Sequence, residues 1–280
     1  MRVFVTGATG YVGSAVVREL IAAGHQVVGL ARSDHGAAAL KEVGAEVLLG
    51  TLDDLDSLHS AAAAADGVIH LAFKHNGDFS DFASSLATDL RVVETIGAAL
   101  EGSGKPFAIT NHMNGEASEN AVFALAGVRS SVVSLAPTVH GEGDKGFVPR
   151  LINIARTKGF SAYVEDGTNR WPAVHRLDAA HLYRLVLEKA PSGSRLSGRA
   201  EEGVPFRDIA GVIGKHLNLP VVSISREEAE SHFGLVVPIA AIDVTSMFPG
   251  ASAQMRERLG WNPTHPGLIA DLEQGHYFNN

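Results

Sequence analysis

Three glycines, Gly7, Gly10 and Gly13, stand at a spacing of three within the opening stretch MRVFVTGATGYVGSA. The chemistry they suit is close approach to a diphosphate. Gly7 would let the chain turn sharply out of a strand. Gly10 would remove the Cβ that holds backbone N–H groups away from phosphate, and Gly13 would let the next helix pack tightly on the strand. The unpaired N–H groups and positive dipole end of that helix then favour an anion. Thr9, Tyr11 and Val12 lie in the same turn and join the expected cradle. A second set of residues suits proton transfer: His112, Lys74 and His75. An imidazole titrates near about pH 6.5, and a general acid works best with a pKa close to the working pH. His112 ranks first, because it comes two residues after the apolar run that ends at Thr110. For each of the three, a solvated loop residue is the plain alternative.

These residues need elements to position them. Residues 3–5 read as a strand and residues 14–23 as a helix closed by Gly24, so the glycines sit in a strand–turn–helix context, the setting a dinucleotide fingerprint requires. Residues 26–31 read as a second strand, followed by Arg32 and Ser33. Proteins that prefer NAD commonly carry an acidic residue about 20 residues past the glycines. Here Ala31 and Arg32 stand in that region. A guanidinium suits a 2′-phosphate, so the cofactor expected is NADP, with NAD as the alternative.

Strand 46–49 leads into Thr51, Leu52, Asp53 and Asp54, then a helix over 55–64. Thr51 and Leu52 are expected beside the adenine, and Asp53 or Asp54 as the helix cap. Strand 67–72 ends in Leu71 and Ala72, where a small side chain lets a cofactor pass. Helix 82–100, strand 106–110 ending in Thr110, helix 116–126 and strand 130–135 continue the alternation. Strands alternating with helices predict an α/β fold, a Rossmann-type doubly wound parallel sheet, with ligands outside the carboxyl ends of the strands.

Composition narrows the partners. The chain has 280 residues, 45% of them apolar, with 23 basic and 31 acidic residues for a net charge of −8. No basic block is present, so nucleic acid is not an expected partner. With no cysteine, disulfides and thiol catalysis are excluded. No apolar run approaches the length of a membrane span, and the chain begins in a strand without a charged-then-apolar leader, so a cytoplasmic protein is expected. His70 and His75 lack the spacing of a helical zinc pair, and no metal site is expected.

The segments Thr6-Gly7-Ala8-Thr9-Gly10-Tyr11-Val12-Gly13, Val68-Ile69-His70-Leu71-Ala72, Ala136-Pro137-Thr138-Val139-His140-Gly141 and Trp171 to Ala180 together resemble the short-chain dehydrogenase/reductase superfamily, in the extended branch of NAD-dependent epimerases and dehydratases. The resemblance covers nearly the whole chain. It implies a dinucleotide-binding domain over 1–141, with about 171–190 returning to it, and a small α/β substrate lid over 142–280. It places Pro137 and His140 in the turn after the sixth strand, at the cofactor. It also implies a small-molecule substrate and pairing into a homodimer through the fourth and fifth helices.

This sequence departs from the family pattern. The family's Tyr-x-x-x-Lys occurs nowhere in it, and Gly115 and Glu119 stand in the tyrosine and lysine places. The leading expectation is therefore an NAD(P)-dependent oxidoreductase that acts on a small to medium carbonyl substrate by hydride transfer, with a proton donor other than tyrosine. The alternatives are a catalytically silent NAD(P)-binding sensor and a redox-neutral epimerase or isomerase. Trp171 and Phe147 are either cleft-lining or core.

Overall fold

A computed structural model describes residues 1–74, 81–236, 240–245 and 253–279. In chain order the elements begin β1 (Arg2–Thr6), α1 (Tyr11–Ala22), β2 (Gln26–Ala31), α2 (Asp34–Glu42), β3 (Glu46–Leu49), α3 (Leu55–Ala64), β4 (Gly67–His70), α4 (Phe82–Leu100), β5 (Pro106–Thr110), α5 (Glu116–Ala124) and β6 (Arg129–Leu135). They continue β7 (Thr138–His140), α6 (Phe147–Lys158), β8 (Ser161–Val164), β9 (Arg170–His175), α7 (Arg176–Lys189), β10 (Ser194–Gly198), β11 (Glu201–Pro205), α8 (Phe206–Leu217), β12 (Val221–Ile224) and α9 (Arg226–Phe233). The chain divides into two compact units. The first comprises residues 1–134, 179–196 and 251–262, and the second comprises 135–178, 197–250 and 263–280.

The first unit is built on a seven-stranded sheet in the order β10-β6-β5-β4-β1-β2-β3. β1 pairs in parallel with both β2 and β4, so the strand order reverses at β1. A doubly wound sheet opens its ligand crevice at such a reversal. The strands have few polar interruptions because helices cover both faces. Val3, Phe4, Val68, Phe107 and Ile109 are buried at 0–1% exposure. On one face of the sheet, Phe4, Val68, Phe107 and Ile109 pack with Val92, Val93 and Ile96 of α4 and Leu58 of α3.

The second unit contains a three-stranded sheet, β11-β9-β7, and a parallel pair, β12-β8. Its core is centred on Trp171, which meets Phe206 edge-on at 5.0 Å, while Phe206 meets Phe233 at 5.8 Å. Trp171 is fully buried, which makes it core rather than cleft lining, and the half-buried Phe147 packs on it at 6.0 Å.

Strands β7, β9, β10 and β11 are not legible in the sequence. Pro172 interrupts β9, and a proline cannot donate to a ladder. The structure places it between the pairs Glu201↔Ala173 and Val204↔Trp171, where the register shifts. Asp54 also differs from expectation. It stands at the start of α3 without capping it, and its carboxylate turns back to accept from Thr51 N (2.6 Å) and Thr51 Oγ1 (2.9 Å). Among the described residues no helix is long and apolar enough to cross a membrane.

Candidate active site

The glycine turn is set by contacts that leave no room for side chains. Gly7 has φ 67°, a left-handed conformation, and a Cβ there would stand 2.8 Å from Ala72 N. A Cβ on Gly13 would stand 2.0 Å from Gly7 O. Gly10 meets only Gly7 O, at 3.1 Å, so the fold itself does not demand a glycine there. Gly10 is exposed and forms the N-cap of α1, with no side-chain cap and no acidic residue in the first turn. Half-buried Tyr11 and Val12 follow it, so the start of α1 keeps its charge preference for an anion. The residues fit a dinucleotide, because Gly7 and Gly13 close the turn while Gly10 is left bare.

The neighbouring expected contacts gather around this turn. Thr9 is exposed, and its methyl lies 3.0 Å from where a Cβ on Gly36 would stand, which brings the start of α2 against the turn. Ser33 caps α2 by accepting from Gly36 N at 3.2 Å, and Arg32 beside it is exposed. Leu71 and Ala72 lie at the end of β4, with their N–H groups on Thr6 Oγ1 at 3.2 and 3.3 Å. Leu52 packs partly into the core, and Thr51 is engaged by Asp54. Lys74 forms an exposed ion pair with Asp53 at 3.1 Å, a contact of about 0–1 kcal/mol. His75 lies outside the described residues. Thr110 Oγ1 is held by the Tyr183 hydroxyl at 2.6 Å and faces the His70 carbonyl at 3.3 Å, so this hydroxyl is committed within the unit. Burial pushes the Tyr183 phenol far up, which keeps it neutral.

His112 is part of a polar cluster below the strand ends. Its Nε2 lies 3.9 Å from Asp89 Oδ1, and its ring packs on Phe73 at 4.0 Å between centroids. Asp89 is 2% exposed. It takes His70 Nε2 at 3.1 Å on Oδ1 and the Ser118 hydroxyl at 2.6 Å on Oδ2. Burial alone would raise this carboxyl. The hydrogen bonds from His70 and Ser118, with the charge of His112, hold it below the usual carboxylate range.

Pro137 and His140 belong to the second unit. His140 is fully buried, with Nδ1 2.8 Å from Asp271 Oδ2. Pro137 is half-buried. The same unit gathers His175, Asp178 and His265, whose ligand atoms lie within 4.8 Å of one another. Backbone donors claim that carboxylate, however. Thr264 N (3.0 Å), His265 N (3.1 Å) and His265 Nδ1 (2.8 Å) all reach Asp178, in the first turn of α7, where the helix dipole favours an anion over a cation.

His175 stacks on His265 at 4.8 Å. Burial, with His140 and His265 close by, brings its imidazole down from 6.5 to about 4. The fold therefore requires neutral His175. Above about pH 6.5 this requirement has no effect on stability. Between about pH 6.5 and 4 the unfolded chain takes up a proton that the folded chain refuses, so stability falls as pH falls. The expected loss is about 2 kcal/mol after discounting for partial exposure. Urea unfolding at pH 7.5 and 4.5 should show that loss, and His175→Gln should lose less by that amount. An identical pH dependence in the two proteins would remove the assignment.

The sequence model of the NAD dependent epimerase/dehydratase family matches residues 3–119. An uncharacterized protein of Schizosaccharomyces pombe, C2A9.02, is 47% identical over 99% of this chain and 100% of its own length. Residues 3–119 therefore belong to the NAD-dependent epimerase/dehydratase family. A 2-alkyl-3-oxoalkanoate reductase of Stenotrophomonas maltophilia is 26% identical over 79% of this chain and 77% of its own. In fold the chain is similar to MoeE5, solved in complex with UDP-glucose and NAD, at a TM-score of 0.75 and 19% identity over 99% of this chain and 97% of that one.

The resemblance sets Gly115 and Glu119 against the family's tyrosine and lysine places. A Cβ on Gly115 would stand 2.9 Å from His112 O and 3.2 Å from Asn111 Oδ1. Glu119 is ion-paired with Arg195. Sequence reasoning missed Asp89 and Ser118. One signal was present: Asp89 interrupts the otherwise small or apolar stripe of Ser85, Val92, Val93 and Ile96 on α4. A lone acid on a buried stripe demands partners.

Proposed function

We propose that this protein is an NADP-linked oxidoreductase that reduces a small or medium carbonyl compound, with His112 as the proton donor. The observation that carries the cofactor reading is the bare, uncapped start of α1 at Gly10, between two glycines that the fold itself requires. When bound, the nicotinamide supplies hydride to the carbonyl carbon. His112 supplies a proton to the carbonyl oxygen. Backbone N–H groups of residues 11–13 hold the diphosphate, with Thr9 beside them. Leu71 and Ala72 border the cofactor at the end of β4, and Thr51 and Leu52 border the adenine. Arg32 and Ser33 hold the 2′-phosphate, and the second unit serves as the substrate-binding module. The oxo-acid reductase among the relatives supports a carbonyl substrate.

The test is titration with NADPH and NADH, followed by turnover on aldehydes, ketones and 3-oxo acids. Absence of saturable NADPH binding would end the reading. Arg32→Ala should weaken NADPH binding by about 10–100-fold and leave NADH within about twofold, since it removes paired charged hydrogen bonds to one phosphate only. Equal losses for both nucleotides would reject the role of Arg32. A second reading, a catalytically silent sensor of the same cofactor, is favoured by Gly115 and by the pairing of Glu119 with Arg195. It expects NADPH binding with no turnover on any carbonyl, and different affinities for the oxidised and reduced forms.

A further inference from the structure

Asp89 is a buried carboxylate whose neighbours can be assigned atom by atom. Thr6 Oγ1 accepts from Leu71 N and Ala72 N, which fills both lone pairs. Its own proton must therefore go to His70 Nδ1, 2.6 Å away. His70 then carries its ring proton on Nε2 and donates it to Asp89 Oδ1, 3.1 Å away. In this arrangement His70 is neutral, and Ser118, donating at 2.6 Å, is neutral as well. The charge of Asp89 is left facing His112 Nε2 at 3.9 Å. Among the described residues, the groups that face Asp89 are His70 from β4, His112 from the loop after β5 and Ser118 from α5. On α4 itself, Arg91 is turned to Thr88 Oγ1 at 3.2 Å.

We propose that Asp89 is the positioning carboxylate of an aspartate–histidine dyad, with His112 as the member that exchanges a proton with substrate. This rests on the role given to His112 above. A buried anion at that distance favours the imidazolium over the neutral ring. It also draws Nε2–H toward the carboxylate. In the forward step the carbonyl carbon gains hydride from the reduced nicotinamide, which is oxidised. The carbonyl oxygen gains the proton from the His112 imidazolium. The product is an alcohol, and His112 is left neutral with its remaining proton toward Asp89. His70 and Ser118 hold the carboxylate in place and do not meet substrate.

The test uses the full chain and begins without any substrate. The His112 ring is titrated by NMR in the parent protein, in Asp89→Asn and in Ser118→Ala, with His112→Ala assigning the resonance. The side-chain amide introduced by Asp89→Asn would keep the hydrogen bonds: its oxygen accepts from His70, and its NH2 donates to a reoriented Ser118 hydroxyl. Asp89→Asn should lower the His112 midpoint by about one pH unit, a tenfold change, while Ser118→Ala, which leaves the carboxylate charge in place, should not lower it. With a reducible carbonyl in hand, Asp89→Asn should reduce kcat at pH 7 by about tenfold with KM nearly unchanged, and move the descending limb of the pH profile to lower pH. A His112 midpoint that does not move in Asp89→Asn overturns the dyad, whatever the turnover. If Asp89→Asn fails to fold, Asp89→Ser decides by the same criterion. A shifted midpoint in a protein that reduces no carbonyl upholds the dyad and rejects the oxidoreductase reading instead.

Discussion

Gly13→Ala is expected to destabilise the first unit and abolish dinucleotide binding together, whereas Gly10→Ala should lose binding alone. The new methyl at position 13 would stand 2.0 Å from Gly7 O and 2.7 Å from Gly7 C, both backbone atoms that cannot swing aside. Either α1 moves off the strand or the turn deforms. Overpacking of this kind costs about 3 kcal/mol, and in a chain of this size that corresponds to a fall in Tm of roughly 10 °C. At position 10 the methyl meets one atom at 3.1 Å and the backbone is already extended, with φ −75°. Its cost to stability should stay within about 1 kcal/mol. Its cost to binding should be about 100-fold, because a diphosphate held off by one methyl loses two or so charged hydrogen bonds of about 1.5 kcal/mol each. Thermal unfolding and NADPH titration on the two variants separate the effects. If Gly10→Ala binds NADPH as tightly as the parent, the diphosphate does not sit at the start of α1.

Asp178→Ala should strongly destabilise the second unit. The side chain is 4% exposed and receives Thr264 N, His265 N and His265 Nδ1. Truncation strands three donors and removes an anion from the first turn of α7. The expected cost is about 3–5 kcal/mol, since buried donors lose water without gaining a partner. Asp178→Asn should cost less, because one oxygen can still accept. Urea denaturation of both variants measures the difference. A loss below about 1 kcal/mol for the alanine variant would mean that the 264–265 turn is held by other contacts.

Much of the first unit is legible along the chain. Strand-helix alternation shows in the period of apolar residues, and α3 and α4 begin and end where the sequence places them. The second unit is less legible. β9 contains Pro172, and β7, β10 and β11 are short, so their pairing depends on partners remote in sequence. Asp54 shows the same limit on a small scale. Its type suits a cap, yet Thr51, three residues earlier, offers two donors and takes the carboxylate.

From residue types and spacing alone came the glycine turn, the strand–helix alternation and the parallel α/β class. All of these are local or periodic, and a backbone conformation or a helical face is encoded within a few residues. Only the tertiary structure decided which polar groups share a proton. Thr6, His70, Asp89, His112 and Ser118 are scattered over more than a hundred positions, yet they meet in one cluster because β1, β4, the loop after β5 and the helices α4 and α5 converge there. A buried charge is defined by what surrounds it, and its surroundings are built by long-range packing.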